Sequence, residues 1–372
     1  MDMYLPAVPV LAQAFHAGAG AAQLTVTSYL AGLALGQLGW GPVSDRHGRR
    51  PVLLAGLALF LLSSAYVPAA GSIQEVVAMR FAQGVGASAG PVIARSIVRD
   101  LYAREQAAHL LARMTAVFGI VPLTAPLIGG QAVALSGWPA LFWVFAAIAA
   151  LLLVAVALGL RETTPAERPS IVPARVAANF ARLLGDARFR APLATMLLAQ
   201  MAIIAFVSSS PVAVAQTLRL GPTGFSLVFA GVMLGQIIGG LLGSRIVPRL
   251  GIRRMVRFGT SLAFAAGLTL AALSLAGVAH WATVVLPMAA LLFGASFIVP
   301  NATAAALSPF PQMAGAASSL LGALPFGLGA LVSAALGVAY DGSMRPMALA
   351  IAAFTAGSFI AERLYFRKSV QG

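Results

Sequence analysis

Two ionisable residues stand where ionisable residues are costly. Asp2 opens an apolar run over 1–15, and Arg80 lies within another over 75–97. An arginine in hydrocarbon costs about 2.5–3.5 kcal/mol on insertion scales, so it must face a cavity or a partner, or snorkel to the membrane surface beyond Glu75. Arg80, Gln83, Ala87 and Pro91 share one helical face by their i, i+3, i+7, i+11 spacing, and the small residues Gly84, Gly86 and Ser88 beside them permit close helix packing. A carboxyl group held out of water takes up a proton, because burial disfavours the charged form. Asp2 has two possible settings: within the membrane, where it can carry a proton, or in water at the surface. The loops hold no paired carboxylates and no nucleophile elbow. His16, His47, His109 and His280 are too scattered for a helical metal-ligand pair, and with no cysteine, disulfides and thiolate metal sites are excluded. Neither an enzyme nor a metal site is expected.

The elements that position these residues must be membrane helices. With 60% hydrophobic and 9% charged residues and a mean hydropathy of +0.91, the chain departs from soluble globules, in which about 25% of residues are charged. Twelve candidate spans are expected, at 1–15, 22–42, 51–70, 75–97, 110–134, 138–160, 191–213, 223–244, 255–277, 282–306, 314–338 and 346–363. The first is short: at 1.5 Å per residue it covers about 22 Å against roughly 30 Å of hydrocarbon, as though half a helix were missing. Threading the spans so that Arg46, Arg49 and Arg50 face the cytoplasm leaves Arg219 and Arg345 outside, with Arg80 and Arg95 within the fourth span. That positive-inside bias puts both termini in the cytoplasm. It also accounts for the net charge of +14 without nucleic acid. The stretch 161–190, with Pro165, Pro169 and Pro173, reads as a cytoplasmic linker between a half over 1–160 and a half over 191–363, leaving a tail over 364–372. Within it 174–184 is either a surface helix turning Arg175 and Arg182 to lipid headgroups or a plain tether. Leu35-Gly36-Gln37 before the charged turn over 41–50 is matched by Leu234-Gly235-Gln236 before Gly251-Ile252-Arg253-Arg254, four residues more widely spaced, which indicates an internal duplication with Ser244-Arg245 in place of Ser44-Asp45.

Gly41-Pro42-Val43-Ser44-Asp45-Arg46-His47-Gly48-Arg49-Arg50 resembles the loop between helices 2 and 3 of the major facilitator superfamily, with Val43-Ser44 for Leu-Ala and Arg50 for Lys. Arg80-Phe81-Ala82-Gln83-Gly84-Val85-Gly86-Ala87-Ser88 resembles its helix 4 pattern. Asp2-Met3-Tyr4-Leu5-Pro6-Ala7-Val8-Pro9, Phe297 to Thr303 and Pro309 to Gly315 resemble the Bcr/CflA drug-resistance branch. Pro122 to Gly130 is similar to the antiporter signature of helix 5, with Ala125 for its first Gly.

The resemblance implies an all-α membrane protein of twelve helices in two pseudo-symmetric six-helix halves around a substrate cavity. It implies that Asp2 binds the transported proton and Arg80 tunes it, coupled indirectly, since helix rise sets their depths about 12 Å apart. Gly41, Asp45, Arg46, Gly48, Arg49 and Arg50 form the gating turn, in which Asp45 pairs with Arg95 or Arg99 of the fourth helix. Pro126, Gly129 and Gly130 support a contact between the fifth and eleventh helices that seals the inner side. Tyr4, Tyr29, Gln83, Met201, Phe206, Phe293, Phe297, Asn301 and Phe326 are candidates for the cavity wall, aromatic and methionine side chains being suited to varied ligands. The implied function is proton-coupled efflux of drug-like amphipathic molecules across the cytoplasmic membrane by a monomer with no cofactor beyond the proton gradient. Export of an endogenous metabolite on the same scaffold and a non-transporting sensor are the alternatives.

Overall fold

The computed structural model describes the chain except residues 103, 164–172 and 367–372, and leaves out the side chains of 99, 104, 105, 107–109, 111–113, 115–120, 173–177, 314, 365 and 366. A 3-10 segment, Asp2–Ala7, continues into α1 (Val8–Ala14). Pro6 and Pro9 each lack an amide donor, which is why this stretch opens as a tighter coil than the uniform helix expected over 1–15. α2 (Ala19–His47), α3 (Arg49–Tyr66) and α4 (Ile73–Leu101) follow. α5 (Arg104–Gly159) is one helical run in two arms divided at Gly137, whose φ of 75° and ψ of 173° turn the chain back where the fifth and sixth spans meet. α6 (Pro173–Gly185) belongs to the linker. The second half comprises α7 (Ala187–Thr217), α8 (Pro222–Leu250), α9 (Ile252–Leu275), α10 (Trp281–Leu307), α11 (Ala314–Val338) and α12 (Arg345–Ala361). The twelve expected spans are therefore the helices α1 to α4, two arms of α5 and α7 to α12.

Among the described residues nine helices are long and apolar enough to cross a membrane. The shortfall has physical causes. α1 is short, the arms of α5 merge, and α2 carries Gln23, Thr25, Thr27, Ser28 and Gln37, polar residues turned inward.

α2 extends through Gly41 and Pro42 to His47, so the turn expected over 41–50 shrinks to Gly48, with φ 106° and ψ 150°. Gly251, with φ 77° and ψ 157°, makes the same connection between α8 and α9. Gly41 lies within α2 and meets only Val92, at 3.9 Å from a Cβ built on it, so it is not part of the turn.

Backbone contact between small residues fixes the repeat register. Gly32 and Gly36 of α2 lie against Phe81 and Ser88 of α4, and Gly235 and Gly239 of α8 lie against Ala289 and Ser296 of α10. Gly56 meets Gly86 as Gly259 meets Gly294. The duplication therefore pairs Gly36 with Gly239. The Leu-Gly-Gln match was displaced by one helical turn, and the counterpart of Asp45 is Pro248 rather than Arg245. In this register Arg80 corresponds to Met288, Gln83 to Leu291, Tyr4 to Val207, Thr25 to Val228 and Tyr29 to Val232.

The halves join through α2 with α11 and α5 with α8. Gln23 Nε2 donates to Ser209 Oγ at 3.1 Å and to the Ser333 carbonyl at 3.0 Å, and the Thr27 and Ser333 hydroxyls lie 2.7 Å apart. These contacts run from the end of the bundle opposite Gly48 inward to Gln37 and Gly322. Part of the apolar edge of α6 packs on the second half. Leu183 is buried, and Phe180 packs with Phe189, Leu193 and Leu320 of the second half, while Arg182 is exposed and the Arg175 side chain lies outside the described residues.

Gly48 and Gly251 occupy backbone regions open mainly to glycine, where a side chain costs about 1–3 kcal/mol. Gly48→Ala and Gly251→Ala are both expected to lower the thermal unfolding temperature of the purified protein. Gly48→Ala should lower it further, because its Cβ also meets the Glu162 carboxylate whereas Gly251 faces open space. Equal melting of both variants with the parent would remove this role for the two connections.

Candidate functional site

Arg80 is 1% exposed, the largest fully buried side chain among the described residues. Its position follows from the start of α4, where Ser72 Oγ accepts the Glu75 amide at 3.3 Å and sets the helix register. The guanidinium lies between two aromatic faces, with its central carbon 4.0 Å from the Tyr4 ring centroid and 4.2 Å from that of Tyr29. Nη1 donates to Gln83 Oε1 at 2.8 Å, Nε approaches the Thr25 carbonyl at 3.4 Å, and Nη2 has no hydrogen-bond partner. The supporting groups are tied down in turn. Gln83 Nε2 donates to Ser64 Oγ at 2.8 Å, and the Tyr4 hydroxyl donates to Thr25 Oγ1 at 2.6 Å. Four helical segments thus converge on one cation without a carboxylate. Ring quadrupoles and fixed amide dipoles stabilise the charge.

Tyr4, Tyr29 and Gln83 accordingly build the Arg80 cage instead of lining an open cavity, a placement dictated by the charge they must surround. Asp2 is half-buried on the turn that presents Tyr4, and Tyr29 lies in electrostatic range of both Asp2 and Arg80. No Asp2–Arg80 ion pair occurs among the described residues. The depth difference of about 12 Å expected from helix rise does not hold, because Tyr4 stacks directly on Arg80.

The remaining aromatic candidates mostly consolidate the second half. Phe206 is buried and stacks on Phe229, Phe297 packs edge-on against Phe258 and Phe293, and Met201 is buried. Asn301 is buried and donates to the Phe297 carbonyl at 2.8 Å. Phe293 and Phe326 are partly buried. Core packing explains Met201, Phe206, Phe297 and Asn301 as second-half interior, against the cavity-wall expectation.

A second charged network ties the ends of four segments around Gly48. Arg49 pairs with Asp45, donates from Nε to Asp100 Oδ2 at 2.9 Å, and from Nη1 to Ser44 Oγ at 2.8 Å. Glu162 accepts the Arg49 amide at 2.8 Å and the Arg50 amide at 3.2 Å, a carboxylate set against the positive N-terminal end of α3. Arg50 Nη2 donates to the Ala157 carbonyl at 2.6 Å. The partner observed for Asp45 is thus Arg49, and Arg49 itself reaches α4. Arg95 donates to the Pro91 carbonyl of its own helix at 2.7 Å, the Arg99 side chain lies outside the described residues, and Arg46 is exposed. Asp100 and Glu162 were not singled out from sequence, although each is an acid at the end of an apolar span. Ser64 and Thr25 left no such signal.

Gly129 packs on the backbone of Met3, and Gly130 faces Ser226 and Pro222 of α8. The stretch after Pro126 therefore meets the 3-10 segment and α8, at the end of the bundle opposite Gly48. Among the described residues these glycines meet those segments rather than the eleventh span. At that same end a cavity of about 640 Å³ lies between the halves, lined by Pro9, Gln13 and His16 from one and Gln216, Arg219 and Gly221 from the other. His16 and Arg219 end α1 and α7 with left-handed φ of 47° and 52°. The Tyr340 hydroxyl donates to Gln216 Oε1 at 2.6 Å. Burial and the nearby Asp341 carboxylate raise the Tyr340 phenol above its ordinary range, so it keeps the proton it donates. The Ser343 hydroxyl and amide hold Asp341 below the usual carboxylate range.

A family model described as Major Facilitator Superfamily matches residues 1–334. The Bicyclomycin resistance protein homolog of Haemophilus influenzae is 30% identical over 342 residues, spanning 89% of this chain and 83% of that protein. Multidrug resistance protein D of Escherichia coli is 31% identical over 332 residues, spanning 89% and 83%. The solved structure of a POT family transporter in complex with 5-aminolevulinic acid superposes with a TM-score of 0.80 at 14% identity, covering 100% of this chain and 93% of that one, which establishes a shared fold.

Removing the Gln83 amide leaves a buried charged donor unsatisfied, which costs about 1–3 kcal/mol or more. Gln83→Leu is expected to lower thermal stability distinctly more than Ser64→Ala, which deprives only a neutral amide of its acceptor. The reverse order in a melting experiment would show that the cage does not stabilise Arg80.

Proposed function

This chain belongs to the major facilitator superfamily, and we propose that it exports drug-like amphipathic molecules across the cytoplasmic membrane in exchange for protons. The observation that carries this reading is Arg80: a buried cation caged by two tyrosines and an amide, with no ion pair among the described residues, and with Asp2 two residues before the Tyr4 that packs on it. When Asp2 is neutral, the aromatic faces and Gln83 hold the guanidinium. When Asp2 is charged, Arg80 is the cation against which its own segment packs, through Tyr4. The cycle needs that alternation, and a fixed Asp2–Arg80 salt bridge would abolish it. The named drug-resistance relatives support the choice of cargo. The site stays in the first half, since its counterparts Val207, Val228, Val232, Met288 and Leu291 are apolar.

In this reading the end of the bundle bearing Gly48 and Gly251 faces the cytoplasm, with both termini, and the opposite end faces outward. The structure is then a state closed on the outer side by α2 with α11 and α5 with α8, the state that receives cargo from the cytoplasm. The protein acts as a monomer, and its energy source is the proton gradient rather than a bound cofactor. One charge moved through 100 mV supplies about 2.3 kcal/mol, roughly a fifty-fold concentration ratio.

In inverted vesicles preloaded with acid, adding a chloramphenicol-like compound is expected to release protons, and Asp2→Asn is expected to abolish release while leaving the protein folded. No release by the parent chain would overturn the exchange reading for that compound. Gly130→Leu drives a side chain into Ser226 and Pro222, so it should disfavour the outer-closed state. The expected result is at least a several-fold weaker binding of cargo from the cytoplasmic side, read in the same vesicles. Unchanged binding would show that α5 and α8 can part without consequence.

A further inference from the structure

The connection between α8 and α9 has lost its acids while keeping its bases. In the shared register Asp45 becomes Pro248, Asp100 becomes Ser308 and Arg49 becomes Ile252, but Arg46 remains as Arg249 and Arg50 as Arg253. Arg245, Arg254 and Arg257 stand beside them. Arg245, Arg249, Arg254 and Arg257 are exposed, Arg253 is half-buried, and among the described residues none of the five forms an ion pair. Five like charges at one helix junction repel one another unless an anion lies among them. The corresponding junction of the first half needs no such help, because Asp45, Asp100 and Glu162 neutralise it from within.

What adjoins these arginines identifies the anion. Leu241, Arg245 and Arg249 follow one another at i, i+4 and i+8 along α8, and Arg254 and Phe258 at i, i+4 along α9. Leu241 is 62% exposed and Phe258 50% exposed, so each helix carries an exposed apolar residue one turn further from the junction than Arg245 and Arg254 respectively. A soluble phosphate has no use for those apolar residues. An amphiphile with an anionic head and hydrocarbon tails matches both parts.

We propose that the α8–α9 junction binds the headgroup phosphate of an acidic phospholipid such as phosphatidylglycerol, which supplies the negative charge that Asp45, Asp100 and Glu162 supply in the first half. The lipid's acyl chains lie along Leu241 and Phe258. The binding site does not depend on the identity of the exported cargo. It requires only that this junction lie at a membrane surface.

The test uses the purified full chain in mixed micelles containing phosphatidylglycerol or phosphatidylcholine, with retained lipid counted by native mass spectrometry and stability followed by melting. The parent protein is expected to retain phosphatidylglycerol selectively and to melt higher with it. The variant R249Q/R253Q/R254Q/R257Q is expected to lose that selectivity, with retention weakened about fivefold for each arginine removed. R190Q/R345Q, which removes two exposed arginines elsewhere, is expected to behave as the parent. Undiminished retention by the quadruple variant overturns the proposal, and so does equal stabilisation by inorganic phosphate at matched concentration. Should the quadruple variant fail to fold, the parent protein at 1 M salt decides, since screening then falls to about 3 Å. Selective retention is expected to collapse there, and its persistence overturns the proposal. Neither result depends on drug-driven proton release, so failure here leaves the transport reading standing.

Discussion

Everything in the first half is arranged around one permanently charged group that has no water to sit in. A guanidinium does not escape its charge by losing a proton, so the surrounding helices must solvate it with what they carry. Two tyrosine rings, an amide oxygen and a backbone carbonyl do so. Placing them demands that α2 and α4 run in near-contact, and that demand explains the glycines at 32, 36 and 84 along their crossing. The second half crosses its helices in the same way and carries Met288 at the corresponding depth, buried among apolar neighbours. The scaffold is common to both halves, and the charge chemistry is the property of one.

Two kinds of asymmetry follow from the duplication. Inside the membrane, the first half carries the polar cage and the second an aromatic and aliphatic interior. At the membrane surface, the first half closes its network with carboxylates, while the second presents arginines alone. The first half is therefore neutralised from within at this surface, while the charge of the second is left to groups outside its own junction to balance.

The sequence shows the charged residues plainly and their neighbours poorly. Arg80 stands out because an arginine among apolar residues has few explanations. The motif around Asp45 stands out because its spacing is specific. Which groups face Arg80 is set by contacts between helices far apart in sequence, and no local spacing records that Tyr4 and Tyr29 meet on opposite sides of it. The same limit misled the reading of Phe206 and Phe297, since an aromatic residue facing a neighbouring helix and one facing a cavity share one periodicity. The Leu-Gly-Gln repeat was a chance alignment one turn out of register. Only the backbone contacts of Gly36 and Gly239 show which residues correspond. Glu162 escaped notice because its partner is a helix terminus, a feature of backbone geometry and not of composition.

The order of the chain bears on how the cage is assembled. Tyr4, Thr25, Tyr29 and Ser64 all precede Arg80, and only Gln83 follows it, by a single turn. During synthesis the N-terminal segments are made first, so when the arginine emerges the residues that form its aromatic walls and carbonyl partner are already part of the chain. A circular permutation that moved α1 and α2 behind α4 would keep the residues of the cage while reversing that order.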